Sequence, residues 1–212
     1  MKRNGNLQNN MKKAVFLDRD GVLNKVVYNY ETKEFEAPHE LRYLELMDGT
    51  ISNLKKLNEL DFLIFLVSNQ PDYAKGKITL NKLIRIEGKF KRLLENNNVL
   101  LNEYYYCHHH PEGIVLSHSI ECKCRKPGTF FIEEAKRKYN INLSASWMIG
   151  DQDSDIFCGQ KAGTKTILIE NLHSNSKRGQ SFPDFTVKNL TEAINIINKI
   201  YYLIIRGVEN EY

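Results

Sequence analysis

The sequence predicts an α/β fold, specifically a Rossmann-like, doubly wound, mostly parallel sheet with helices on both faces. Short continuous apolar runs, rich in β-branched and aromatic residues, alternate along the chain with longer amphipathic segments. These apolar runs lack the strict apolar–polar alternation of half-exposed strands, which is typical of strands buried on both faces of a parallel sheet. Strands that alternate with helices in this way build an open sheet that helices cover on each side.

Four apolar runs are predicted to be strands, and the three tyrosines at 104–106 are expected to belong to a further one. The four runs are KAVFLD (13–18), FLIFLVSN (62–69), SWMIGD (146–151) and TKTILIE (164–170). Helices are predicted over 50–60, 80–96, 129–139, 153–162 and 190–205, and the first of them carries leucines at helical spacing. Two long segments, 24–47 and 107–128, fit neither pattern, and connections of that length usually carry function.

The chain length of 212 residues fits one domain with a substantial core. We expect a disordered lead-in over 1–11, a single domain over 12–206 and a short tail over 207–212. The start of the chain lacks the apolar run of a signal peptide, and no apolar segment is long enough to cross a membrane.

Composition narrows the classes of partner. A net charge of +4 is compatible with anionic substrates but too weak to argue for nucleic acid. The isolated histidines at 39, 118 and 173 are expected to be solvated loop residues. Four cysteines without a signal peptide indicate a reducing cytoplasm, and we expect a monomer that binds neither nucleic acid nor membrane.

Polar and acidic residues end three of the predicted strands. They are Asp18-Arg19-Asp20, Ser68-Asn69-Gln70 and Gly150-Asp151, with Asp153 and Asp155 just beyond the third. The carboxyl ends of parallel strands meet at the edge where open α/β sheets bind ligands. A single ending of this kind fits a turn or a helix cap, whereas three together favour a ligand site.

The chemistry of this predicted site follows from its donor atoms. Several carboxylates with few soft ligands suit Mg²⁺ together with a phosphate-bearing ligand. One carboxylate can attack phosphorus and form an aspartyl-phosphate, while a second protonates the leaving oxygen and later activates water. Ser68 and Asn69 are expected to donate hydrogen bonds to phosphoryl oxygens, and a lysine is expected to neutralise the developing charge.

A second group of metal-binding residue types lies in CHHHPEGIVLSHSIECKC, residues 107–124. Three thiolates and one imidazole suit a closed structural Zn²⁺ site, with ligands Cys107, His109, Cys122 and Cys124. His108 or His110 is an alternative to His109, because the three histidines stand in a row. The spacing is tighter than in a zinc finger. A reduced loop that happens to be rich in Cys and His is the plain alternative, and three of the four cysteines within this segment argue against it.

The motifs DRDGVLN, SNQ, CRKP and GDQDSD, in that order, resemble the four motifs of the haloacid dehalogenase-like (HAD-like) phosphatase superfamily. The resemblance covers about residues 13–170. It implies that Asp18 is the nucleophile and that Asp20 is the acid/base. It also implies that Asp20 contributes to the magnesium site through its backbone carbonyl, which leaves its side chain free to move protons.

The same resemblance assigns the remaining motif residues. Ser68 corresponds to the hydroxyl of the second motif and Lys126 to the lysine of the third. Asp151 corresponds to the metal-binding aspartate of the fourth motif, with Asp155 in support. The implied magnesium ligands are thus Asp18, Asp20 and Asp151.

The Cys- and His-rich loop narrows the resemblance to the D-glycero-D-manno-heptose 1,7-bisphosphate phosphatases and the zinc-containing histidinol-phosphate phosphatases. In that group the loop shapes the substrate entrance in place of a large cap. The chain departs from the group at Pro71-Asp72, Lys75, Phe130 and Gln152, none of which is a catalytic aspartate. Lys75 and Arg125, the latter directly before Lys126, are the cations we expect to bind a second phosphate.

The resemblance thus implies a Mg²⁺-dependent phosphatase with a structural zinc, acting on heptose 1,7-bisphosphate at the C7 phosphate. Histidinol phosphate is the alternative substrate. A nucleic-acid terminal phosphate would require a basic groove with exposed aromatics, which the mild net charge does not support. From a different class, a non-catalytic zinc-bearing module of the same fold is the alternative, and the presence of every motif carboxylate and of the motif lysine argues against it.

Overall fold

The structure, a computed structural model, describes residues 11–206. The strands of this part are β1 (Ala14–Leu17), β2 (Val27–Asn29), β3 (Glu34–Glu36), β4 (Leu63–Asn69), β5 (Glu103–Cys107), β6 (Trp147–Gly150), β7 (Lys165–Ile169) and β8 (Phe185–Val187). The α-helices are α1 (Thr50–Glu59), α2 (Leu80–Glu95), α3 (Phe130–Tyr139), α4 (Asp153–Ala162) and α5 (Leu190–Ile205). Six strands form a parallel sheet in the order β5-β4-β1-β6-β7-β8, while β2 and β3 form an antiparallel hairpin.

The central strands are buried on both faces because their sequences are apolar without interruption. Every residue of β1 and β6 is buried. Successive side chains point to opposite faces, so Val15 and Leu17 pack with α1, α2 and α5, whereas Ala14 and Phe16 pack with α3 and α4. The rings of Phe16 and Phe65, paired in register across β1 and β4, stack at 5.1 Å. Helices therefore cover both faces, and the predicted fold class is confirmed.

The long apolar and amphipathic segments lie where the sequence predicts them. Each of the four predicted strands and five predicted helices agrees with the structure to within one residue at each end, and the tyrosines at 104–106 lie in β5. The hairpin β2–β3 and the strand β8 were not predicted, because they are three residues long and have no continuous apolar run. The predicted tail and all of the predicted lead-in except Met11 lie outside the described residues. The single domain over 12–206 stays a prediction.

The strand order creates a ligand-binding edge at the centre of the sheet. From β1 the chain runs outward through β4 and β5, and it then returns to the other side of β1 to add β6, β7 and β8. The order reverses between β1 and β6, which is the topological switch point at which such sheets bind ligands. The carboxyl ends of β4, β1 and β6 carry the predicted motif residues to this edge. The adjacent end of β5 carries Cys107, which pairs in register with Asn69.

The connection between β1 and α1 holds the β2–β3 hairpin, and no cap domain is present within residues 11–206. The hairpin contacts the loop after β7, since the rings of Phe35 and His173 stack at a centroid distance of 3.6 Å. No helix among the described residues combines the length and the apolarity that crossing a membrane requires.

Candidate active site

Asp18 and Lys126 form a buried ion pair at the end of β1. The backbone N–H of Asp18 donates to Ile149 O at 3.0 Å, which extends the β1–β6 ladder by one residue and fixes where the Asp18 carboxylate emerges. Lys126 Nζ lies 2.7 Å from Asp18 Oδ1 and 2.6 Å from Asp155 Oδ1, and it also donates to Val67 O at 2.7 Å. The lysine side chain is 2% exposed, so one fully buried cation joins the ends of β1 and β4 to the start of α4.

The group has more buried negative charge than this lysine compensates. Burial raises the pKa of Asp18 to about 6; Lys126 opposes the shift, and Asp155 adds to it. Burial also raises the pKa of Asp151 well above its usual range, and the nearby charges of Asp18 and Asp155 act in the same direction. Burial alone would lower the pKa of Lys126, but Asp155 and Asp18 outweigh it and raise that pKa. A further cation beside Asp18 and Asp151 would favour the ionised forms of both carboxylates.

The three carboxylates fit a magnesium ion. Asp18, Asp151 and Asp155 each offer an oxygen, and these atoms lie within 4.8 Å of one another. Asp151 Oδ1 is buried and accepts no hydrogen bond from any described residue. Burying a carboxylate oxygen without a partner is unfavourable in free energy, and a bound cation would remove that penalty. An all-oxygen donor set of this kind suits Mg²⁺. The group contains the side chain of Asp155, which was expected only in support, while Asp20 was expected to contribute its backbone carbonyl and not its side chain. The magnesium ligand set stays a prediction.

Two glycines make room for these carboxylates. Gly21 has φ +86°, and a Cβ there would lie 2.3 Å from Asp151 Oδ2. A Cβ on Gly150 would lie 2.2 Å from the Asp155 Cβ, so β6 and α4 approach closely only because this residue is glycine. The Asp155 carboxylate is oriented by the capping box of α4, since its Oδ2 accepts from the backbone N–H of Gln152 at 3.0 Å.

Asp20 is held by a polar network that includes Gln70. Its carboxylate accepts hydrogen bonds from Arg19, from Asn24 at 2.9 Å and from Gln70 Nε2 at 2.5 Å. Arg19 Nη2 donates to Gln70 Oε1 at 2.7 Å, which fixes the orientation of the amide. Gln70 Nε2 also donates to Ser68 Oγ at 2.9 Å, so the hydroxyl proton of this buried serine can point elsewhere. One amide thus orients both Ser68 and Asp20.

Sequence reasoning assigned no role to Gln70 or Arg19. Gln70 could have been found from its position, since Ser68 and Gln70 are two residues apart at the end of a strand and their side chains point to the same side.

Asn69 holds the backbone of Lys126. Its Oδ1 accepts from Lys126 N at 2.9 Å, and its Nδ2 donates to Lys126 O at 3.1 Å. The side chain was expected to donate to a phosphoryl oxygen. Since an amide NH₂ has two hydrogens, one remains available for that role, which stays a prediction.

The predicted zinc ligands converge at the end of β5. The Sγ atoms of Cys107, Cys122 and Cys124 lie 3.3 to 3.6 Å apart, and His109 Nδ1 lies 3.5 Å from Cys124 Sγ. These sulfur separations exceed the length of a disulfide bond and approach the spacing of about 3.8 Å expected for thiolates around tetrahedral zinc. Burial raises the pKa of the Cys107 thiol, so a metal ion is the natural partner for its ionised form.

The structure distinguishes the three consecutive histidines. His109 faces the sulfur atoms, whereas His108 Nε2 lies 2.7 Å from Glu87 Oε1. The Nδ1 of His110 accepts from the backbone of Glu112 at 3.2 Å. The Cys/His cluster over 107–124 is therefore formed with His109.

A cavity of about 340 Å³ opens over the carboxylates, at the small end of the usual range for small-molecule sites. Its lining includes both cations expected to bind a second phosphate, Lys75 and Arg125. Arg125 Nη1 is buried and makes no hydrogen bond with any described residue. His173, expected to be a solvated loop residue, is exposed and lines the cavity. His39, also expected to be solvated, is half-buried and paired with Asp72.

Comparison with known proteins agrees with the fold and the motifs. Residues 123–193 match the HAD-hydrolase-like family model. The chain is 34% identical over 172 residues to the D-glycero-alpha-D-manno-heptose-1,7-bisphosphate 7-phosphatase of Photorhabdus laumondii, covering 81% of this chain and 90% of that protein. It is 31% identical to the D-glycero-beta-D-manno-heptose-1,7-bisphosphate 7-phosphatase of Escherichia coli K12, covering 88% of this chain and 94% of that protein.

A solved structure shows the same fold. The D,D-heptose 1,7-bisphosphate phosphatase from B. bronchiseptica, complexed with magnesium and phosphate, superposes with a TM-score of 0.73 at 21% identity, over 89% of this chain and 99% of that one. This likeness shows the fold, and the relatives matched over most of their length identify the family. The chain belongs to the HAD-like phosphatases, the family that includes the heptose 1,7-bisphosphate 7-phosphatases.

Proposed function

We propose that this protein is a Mg²⁺-dependent phosphatase that hydrolyses heptose 1,7-bisphosphate at its C7 phosphate through an aspartyl-phosphate at Asp18. The observation that carries the proposal is the buried group of Asp18, Lys126 and Asp155 beneath a cavity, beside an Asp151 oxygen that has no hydrogen-bond partner among residues 11–206. Phosphoryl transfer requires a nucleophilic carboxylate, a lysine that neutralises charge, and a carboxylate oxygen that is available to bind a metal ion.

The proposed reaction has two steps. An Asp18 oxygen forms a bond to phosphorus while the bond from phosphorus to the sugar oxygen breaks, and the leaving oxygen takes a proton from Asp20. Asp20 then accepts a proton from water as the water oxygen attacks phosphorus, and cleavage of the bond to Asp18 releases inorganic phosphate. Lys126 offsets charge on the Asp18 side throughout, while Gln70 directs the Ser68 hydroxyl.

The side chains of Asp18, Asp151 and Asp155 would hold Mg²⁺, with the backbone carbonyl of Asp20 as the further ligand that the family resemblance implies. When bound, the ion supplies Lewis-acid stabilisation of the phosphoryl oxygens and neutralises the excess carboxylate charge. Asp155 also shares Lys126 with Asp18, so its main contribution is to place the lysine between the two carboxylates.

The substrate assignment rests on the relatives and on the charges of the cavity. Relatives about 30% identical over most of the chain are named heptose 1,7-bisphosphate 7-phosphatases. A second phosphate needs cations away from the reacting centre, and Arg125 and Lys75 line the same cavity as Asp18. Histidinol phosphate carries no second phosphate and would leave both cations unused, which favours the bisphosphate.

We also propose that Cys107, His109, Cys122 and Cys124 bind a structural Zn²⁺. The cluster lies directly before Arg125 and Lys126, so a closed metal site would fix the backbone that presents both cations. The same loop contacts the segment that carries Lys75, since Ile114 N and Val115 N donate to Ala74 O at 2.7 and 3.0 Å. One zinc ion would thus support both edges of the cavity.

A substrate panel tests the proposal. Purified protein with Mg²⁺ should hydrolyse heptose 1,7-bisphosphate with a kcat/KM above that for histidinol phosphate, and ³¹P NMR should show loss of the C7 phosphate first. Equal or better turnover of histidinol phosphate would contradict the substrate. Absence of turnover of any phosphate ester would contradict the phosphatase itself. The expectations of a monomer and of a cytoplasmic location stay predictions.

A further inference from the structure

Asp72 is a carboxylate of the cavity that the proposed mechanism does not use. It follows β4, lines the same cavity as Asp18 and is 9% exposed. Its Oδ2 lies 2.9 Å from His39 Nε2, whereas its Oδ1 makes no hydrogen bond or ion pair with any described residue. Another partly buried cavity carboxylate, Glu36, differs because Lys77 and Asn29 already bind it. Asp72 thus presents a free acceptor oxygen from a fixed position.

The segment that carries Asp72 is braced on three sides. Its own turn closes through Lys77 N to Asp72 O at 2.8 Å and Lys75 N to Pro71 O at 2.9 Å. The Cys/His loop contacts it at Ala74, and His39 anchors it to the connection that follows the hairpin. A carboxylate held in this way loses little rotamer freedom when it binds a ligand, so it is suited to recognising one chemical group of that ligand.

The surroundings of Asp72 decide which ligand group it accepts. The positive charges of His39, Lys77 and Lys75 all stabilise its ionised form, and the pKa of Asp72 is lowered despite burial. An ammonium group placed beside Asp72 would therefore meet the positive charges of His39, Lys77 and Lys75 as well as the carboxylate. A phosphate beside Asp72 would be repelled by it. A neutral hydroxyl donates to a carboxylate without either penalty.

We infer that Asp72 is a specificity residue that accepts hydrogen bonds from hydroxyl groups of the substrate, between the phosphate at Asp18 and a second phosphate at Arg125 and Lys75. This inference deepens the proposed function and rests on it. It assigns the cavity to polyhydroxylated phosphate esters rather than to amine-bearing or alkyl phosphates.

Calorimetric binding to the full-length chain with Mg²⁺ tests the inference, in an Asp18→Asn background where no ligand is hydrolysed. The ligands are heptose 1,7-bisphosphate, fructose 1,6-bisphosphate and heptane-1,7-diol bisphosphate, which has two phosphates but no hydroxyls. The sugar bisphosphates should bind about 10- to 100-fold more tightly than the diol bisphosphate, as expected for a hydrogen bond to a charged group.

Adding Asp72→Ala should remove that advantage and leave the affinity for the diol bisphosphate unchanged within about threefold. Asp72→Asn, which keeps an acceptor oxygen, should retain part of the advantage. Glu112→Ala, which removes an exposed carboxylate of the Cys/His loop, should change none of the three affinities.

Two results would overturn the inference. An Asp72→Ala effect of the same size on all three ligands would mean that Asp72 supports the loop or the phosphate sites instead. Tighter binding of the sugar bisphosphates by Asp72→Ala would mean that Asp72 repels them. An Asp72-dependent gain for fructose 1,6-bisphosphate but not for heptose 1,7-bisphosphate would instead keep the inference and contradict the proposed substrate.

Discussion

Replacing Lys126 with methionine should destabilise the metal-free protein far more than the loss of an exposed lysine charge. Lys126 Nζ lies within 2.7 Å of two carboxylates in a site that water hardly reaches. Methionine fills a similar volume but leaves Asp18, Asp151 and Asp155 together with no cation. Breaking a buried pair in this way costs about 3–5 kcal/mol of unfolding free energy.

The pH dependence of this loss follows from the carboxylates. The pKa of Asp18 is already raised to about 6 with the lysine present, and it rises further when the lysine is removed. A group with a raised folded-state pKa keeps its stability contribution below its unfolded pKa and loses it as pH rises through the folded one. The deficit of Lys126→Met relative to wild type should therefore be large at pH 8 and smaller at pH 5, where protonation relieves the repulsion.

Urea unfolding without Mg²⁺ measures this deficit, and adding Mg²⁺ at pH 8 should reduce it because the ion replaces the missing cation. Lys82→Met is the matched control, since Lys82 pairs with Glu40 at 2.5 Å on an exposed surface where solvent screens the attraction. Similar losses of stability in both variants would contradict a buried role for the Lys126 charge, and so would a Lys126→Met deficit that does not change with pH or Mg²⁺.

Three further predictions concern the elements around this pair. The Cys122→Ser protein should lose zinc on dialysis and have a lower Tm than wild type. Cys158 is outside the cluster, so Cys158→Ser should retain zinc, and equal zinc content in the two variants would contradict the metal site. The hydrogen bond that His39 donates to Asp72 raises the pKa of His39, so in urea unfolding wild type should be more stable than His39→Gln at pH 5.5 and lose that advantage as pH rises through the His39 pKa. A difference that does not change with pH would contradict the pairing. Asn69→Ala should lower the free energy of unfolding by about 1–2 kcal/mol, because two hydrogen bonds to the Lys126 backbone are lost. It should reduce kcat while changing KM less, and an unchanged kcat would contradict the positioning role.

The sequence predicts the sheet and the placement of the carboxylates because both depend on local patterns. Continuous apolar runs mark the central strands, and polar residues directly after them must lie at the ligand-binding edge of a parallel sheet. Asp18, Ser68 and Asp151 can therefore be placed at this edge without any tertiary information. The Cys/His cluster is predictable for a different reason, since clustered cysteines in one loop can reach one another whatever the surrounding fold.

The remaining features depend on contacts between distant segments. His39 and Asp72 are 33 positions apart, and Phe35 meets His173 only because the hairpin and the loop after β7 face each other. No periodicity or spacing reports such contacts. Which of the three consecutive histidines faces the cysteines likewise depends on a distant contact, since His108 is held by Glu87 of α2.

The most direct test of the proposed chemistry is to locate the phosphorylated residue. Enzyme mixed with Mg²⁺ and heptose 1,7-bisphosphate is quenched in acid during turnover and treated with borohydride, which converts an aspartyl-phosphate to homoserine. Peptide mass spectrometry should then find homoserine at position 18 in wild type and in Asp20→Asn, and none in Asp18→Asn or without substrate. Homoserine at another aspartate, or continued turnover by Asp18→Asn, would contradict Asp18 as the nucleophile.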